Sequence, residues 1–154
     1  MCNGESSRAS QGGLVAILHP LYDSNKTFHK AARSQTWHLF FNDIQSGQTD
    51  STMVQFSQDL DLMTSSRASR VDIHRDGDLS QSVSPTASSP QTPLYSFPVR
   101  PEGLWKTTGG AEMGISPRLP LEVGGDGIVG RRVSVVSETR AGETCIAEGI
   151  IGWN

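Results

Sequence analysis

The sequence predicts a chain of low order: mostly disordered, with a small α+β content of one or two N-terminal helices and a C-terminal antiparallel β meander. Three observations predict it. Leu, Ile, Val and Phe account for only 34 of 154 residues, close to the apolar content of disordered chains. A serine- and proline-rich stretch from Thr64 to Pro101 interrupts the middle, with prolines at 85, 90, 93, 98 and 101. Between Thr64 and Gln91 the sizeable apolar side chains are Val71, Ile73, Leu79 and Val83 alone. So little apolar surface does not offset an ordering cost of about 1–2 kcal/mol per residue.

The chain accordingly divides into four parts: a disordered tail over 1–13, a short strand with two weak amphipathic helices over 14–63, a low-complexity disordered linker over 64–118, and a glycine-punctuated β meander over 119–154. Leu14 to Leu18 is a compact apolar run that Pro20 ends, the pattern of a short strand. Asp23-Ser24-Asn25 offers an N-cap, and apolar positions 28, 31, 32, 39 and 40 keep near-helical spacing up to Ile44. Met53, Phe56, Leu60 and Met63 step by three and four, which predicts a second helix, although Val54 and Phe56 equally suit a strand. Leu94 to Phe97 and Leu104-Trp105 read as apolar islands among prolines and glycines. Runs 119–123, 128–137 and 144–151 are rich in β-formers and are separated by glycine turns, the signature of a three-stranded meander.

Charge and cysteine content narrow the function classes. The net charge of −3 gives no electrostatic footprint for nucleic acid or for an anionic membrane, so neither is an expected partner. Cys2 and Cys145 lie at opposite ends with no CxxC pair, which argues against a disulfide scaffold and predicts a reducing, intracellular setting. No targeting motif or run of about 18 apolar residues is present.

Motifs for catalysis or metal binding are incomplete. Gly125-Asp126-Gly127-Ile128-Val129-Gly130 is a literal GxGxxG after a β-like run, the arrangement that lets backbone N–H groups approach a pyrophosphate. It is followed by β-branched residues instead of a helix former, so a nucleotide-binding module here is an alternative reading only. Asp72 to Val83 approximates a calcium loop with Gly77 at its sixth place, but Val83 stands where a bidentate glutamate is needed. The four histidines do not share a metal-ligand spacing, and Cys145 reads as a buried structural thiol. No cofactor, metal or catalytic residue is predicted.

Short linear features remain. Ser84, Ser89, Thr92 and Ser116 each precede a proline and suit proline-directed protein kinases. Ser69 lies between Arg67 and Arg70, and Ser134 follows Arg131-Arg132, which suits basophilic kinases. Pro90 with Pro93 and Pro98 with Pro101 give PxxP spacings of the kind SH3- and WW-type domains take as a polyproline helix. Tyr95, Phe97 and Trp105 are the apolar anchors beside them. The sequence therefore predicts a non-enzymatic interaction or regulatory protein. Patchy agreement between pattern, caps and turns also fits a recently arisen reading frame never selected for a fold.

Overall fold

Apolar residues placed at every second position dominate the architecture. In the computed structural model, residues 13–21, 36–44, 50–57, 69–80, 92–139 and 142–154 are described. Nine strands occur among them: β1 Leu14–Pro20, β2 Trp37–Asp43, β3 Thr52–Phe56, β4 Ser69–Ile73, β5 Tyr95–Val99, β6 Trp105–Thr107, β7 Gly110–Ile115, β8 Arg132–Thr139 and β9 Gly142–Trp153. All nine join one antiparallel sheet in the order β5-β4-β8-β9-β1-β2-β3-β7-β6, curled into a half-barrel. A 3-10 turn, Pro101–Gly103, joins β5 to β6.

Register explains the core. Leu14, Ala16 and Leu18 of β1 stand opposite Phe41, Leu39 and Trp37 of β2, and all six are buried. Phe56 and Val54 of β3 continue the row from Leu39 and Phe41. On the other side, Ala16 faces Ile151 of β9, while Val135 of β8 lies between Ala147 and Val71. Val71 in turn faces Phe97 of β5. Period-two alternation thus puts one set of side chains on the concave face of every strand except β6, which is exposed throughout. Leu119 and Ile128, from the connection between β7 and β8, fill that face and are 2% and 0% exposed. The Leu119 amide donates to Thr52 Oγ1 at 2.9 Å, which pins the connection to β3.

These strands overturn the expectation of a mostly disordered, low-complexity chain with a small α+β content. The described part of the first predicted helix is β2, and Met53 and Phe56 belong to β3. Phe40 beside Phe41 imitated helical spacing, yet Trp37, Leu39 and Phe41 alternate and only they reach the core. Residues 26–35 and 58–63 lie outside the described residues. The expected linker holds β4, β5, β6 and β7, because Val71 and Ile73 need no local apolar partners when Val135 and Val133 sit beside them. The run 119–123 is no strand; it makes one bridge, Val123 to Val129, and its Pro120 and Glu122 carbonyls accept from the Ile128 and Val129 amides.

Candidate functional site

The convex side of β4, β8 and β9 carries a polar row instead of a solvated one. The register aligns Ser96, Asp72, Ser134 and Glu148 across four neighbouring strands, with Arg132 two places from Ser134. Asp72, Arg132, Ser134 and Glu148 are each 3–6% exposed. The 74–80 segment turns back over this row after β4. The Arg132 amide donates to the Asp76 carbonyl at 2.8 Å, and the Arg131 guanidinium donates to the Arg75 carbonyl. Gly77 permits the approach: a Cβ there would lie 2.3 Å from the Gly130 carbonyl oxygen. Gly130 itself has φ +79°, a conformation a side chain would strain.

Within the row, hydrogen bonds are shared unevenly. Asp72 accepts from Arg70 Nε at 2.9 Å and from Ser96 Oγ at 2.6 Å. Arg70 also forks onto Glu143, with Nη2 to Oε2 at 2.8 Å, and this pair holds the Glu143 carboxyl below its usual range. His74 Nε2 lies 2.7 Å from Ser134 Oγ, while its Nδ1 has no hydrogen-bond partner among the described residues. Arg132 has its Nε 3.6 Å from Asp76 Oδ1, and its Nε and Nη1 likewise make no hydrogen bond among the described residues. Burial, then the Arg132 charge, pushes the His74 imidazole below 6.5, against the pull of Asp72, Asp76 and Glu148. Cys145, also on β9, donates to the Ala147 carbonyl, and burial pushes its thiol up to about 11.

A neutral imidazole against a serine hydroxyl is the base and nucleophile of many hydrolases. Here no carboxylate among the described residues orients His74 Nδ1, and Ser134 is 4% exposed in mid-strand. The pair is a part-buried hydrogen bond. Beside it, an open cleft of about 420 Å³ is lined by His74, Arg75, Asp76 and Thr92.

The two margins of the sheet differ. On β5, Pro98 sits opposite Arg70 and has no N–H to offer, while Phe97 and Val99 are buried. On β6, Trp105, Lys106 and Thr107 are all exposed, and Trp105 shows 61% of its surface.

The residues singled out in sequence fall in different places. Ser69 and Ser134 are each 4% exposed, so a kinase reaches their hydroxyls only after β4 or β8 separates. Thr92 and Ser116 are exposed; Ser84, Ser89 and Pro90 lie outside the described residues. Pro93 is half-buried, Pro98 belongs to a strand and Pro101 opens the 3-10 turn, so Pro98 and Pro101 do not share a polyproline helix. Tyr95 donates its hydroxyl to the Asp126 carbonyl at 3.0 Å, Phe97 is core, and Trp105 alone of the three aromatic anchors is exposed. The 125–130 glycines lead into β8 and not into a helix. Arg131 donates to the Gly125 and Gly127 carbonyls, so this turn is organised around a cation. Asp76 and Asp78 cap their own turn, accepting from the Asp78 and Ser80 amides at 3.2 and 2.8 Å.

Sequence reasoning missed His74, Arg131 and Arg132 as a group. The signal was the alternation of Arg132 and Ser134 against Val133 and Val135, which marks a strand with a polar second face. No protein-family model and no curated protein matches the chain.

Proposed function

We propose that the chain is a non-enzymatic interaction module that takes an extended segment of a partner protein along β6. The observation that carries this reading is Trp105, 61% exposed on the outermost strand of an open sheet. An edge strand presents unpaired N–H and C=O groups that template another strand. The opposite margin is blunted by Pro98, whereas β6 contains no proline and, among the described residues, pairs on one side, with β7. A large indole at such an edge supplies the apolar anchor that main-chain pairing lacks. Three residues give a small contact, so affinity of about micromolar strength is expected. The nucleotide-binding alternative gains no support, since the Gly127, Ile128, Val129 and Gly130 amides that would face a pyrophosphate donate to the Gly124, Pro120, Glu122 and Ile151 carbonyls.

The test is selection of a random dodecapeptide display library on the immobilised full chain, with the Trp105→Ala chain as counter-selection. Extended, β-prone peptides that lose at least tenfold affinity on Trp105→Ala and slow amide exchange at 105–107 are the expected result. Peptides that bind both chains equally, or that protect amides elsewhere, overturn the reading.

A further inference from the structure

We infer that Thr92 is a phosphorylation site whose phosphate is received by Arg75 across the loop end of the β4–β5 hairpin. This does not rest on the β6 reading, because the two sites lie at opposite margins of the sheet.

The argument starts from register. Ile73 pairs with Tyr95 at the end of the hairpin, and the Leu94 amide donates to the Ile73 carbonyl at 2.7 Å. Past that pair the two segments form no further ladder among the described residues, and residues 74–76 and 92–93 flank the loop end of the hairpin. The cleft of about 420 Å³ lies there, lined by His74, Arg75, Asp76 and Thr92.

Accessibility and charge select Thr92 from the serines and threonines that precede proline. Thr92 is exposed, lies ahead of β5 in chain free of strand pairing, and Pro93 follows it. Ser116 is also exposed before Pro117, but its neighbour Arg118 is already bound to Asp43, with Nε to Oδ1 at 3.0 Å. Arg75 is exposed, and its guanidinium has no hydrogen bond or ion pair among the described residues, unlike Arg70, Arg118 and Arg131. Asp76 is the one carboxylate on the cleft wall among the described residues; its Oδ1 accepts from the Asp78 amide and faces the buried Arg132 at 3.6 Å. Arg132 thereby offsets the charge that would oppose a phosphate.

The chemistry balances with a nucleoside triphosphate as donor. Thr92 Oγ1 attacks the γ-phosphorus, the bond from that phosphorus to the β–γ bridging oxygen breaks, the hydroxyl proton passes to the kinase's base, and the diphosphate leaves. The product carries close to two negative charges and three acceptor oxygens, which a guanidinium binds in a fork. Such a pair latches the entry of β5 to the exit of β4.

The experiment uses the full chain, a purified proline-directed kinase and magnesium ATP, with the modified residue mapped by mass spectrometry. A second sample carries phosphothreonine installed at 92 during synthesis, so that reception is measured whether or not the kinase acts. The expected results are phosphate at Thr92 and, by phosphorus NMR, a second phosphate pKa about half a unit lower than in the Arg75→Gln chain. Modification of Ser116 with Thr92 untouched overturns the modification site. Equal phosphate titration in the wild-type and Arg75→Gln chains overturns the role of Arg75.

Discussion

The concave and convex faces of the β4–β8–β9 strands are built from the same segments and held by opposite means. On the concave face Val71, Ile73, Val133, Val135 and Ala147 touch one another with no polar obligation, and apolar area removed from water stabilises them at about 25 cal/mol per Å². On the convex face Asp72, Arg132, Ser134 and Glu148 are as thoroughly buried, but each must find charge or hydrogen-bond partners. The first face tolerates any well-fitting hydrocarbon. The second depends on particular atoms in particular places, and it is where the molecule has something to change.

The largest effect should come from the apolar face. Phe41→Ala removes a fully buried ring between β1 and β3 and should cost about 3–5 kcal/mol by denaturant unfolding. A loss below about 1 kcal/mol would mean that the concave face is not close-packed.

Next comes the cation of the convex face. Arg132→Met leaves Asp76 and the neighbouring Glu148 without that charge and should cost about 3 kcal/mol. The cost should shrink when Asp76→Asn is added, since less uncompensated charge then remains. Equal cost in both backgrounds would show that Arg132 acts through its hydrocarbon stem alone.

A smaller, pH-dependent effect belongs to His74. Its folded form gives up its proton more readily than the unfolded chain does at 6.5, so the unfolded state binds more protons as pH falls. The contribution of neutral His74 is therefore complete above 6.5 and is lost as pH falls through the folded value. Thermal midpoints measured from pH 8 to pH 5 should fall on the acid side, and His74→Gln should flatten that part of the curve. An unchanged slope in His74→Gln would assign the acid loss to other groups.

The smallest stability effect is expected at the β6 margin. Trp105→Ala should change unfolding free energy by no more than about 0.5 kcal/mol while weakening peptide capture by about tenfold or more. A large loss of stability would place the indole in the fold and remove it as a partner anchor.

Parts of this molecule were legible without the fold. The Leu14–Leu18 run lies in β1, the run 128–137 overlaps β8 from Arg132 on, and 144–151 lies in β9, because strongly apolar, β-forming runs carry their own signal. The glycines of 124–130 were legible as turns. The overall class was misread. Ser69–Ile73 has two apolar side chains and is unremarkable in isolation; it becomes a strand because β8, more than 60 residues later, and β5 stand on either side of it. The candidate site was legible in part: Thr92-Pro93 and Trp105 are visible in the sequence, but Arg75, His74 and Arg132 acquire meaning only from their neighbours.

By itself, then, the sequence determined local tendency: which runs prefer extended backbone, where glycine permits a turn, and which hydroxyls precede proline. The tertiary structure decided which sparse apolar positions suffice, because a strand's burial and hydrogen bonds are supplied by neighbours far away in the chain. It also decided the fate of the polar residues. A buried arginine is a property of the space around it, and that space is closed by the 74–80 turn meeting the Gly130 backbone.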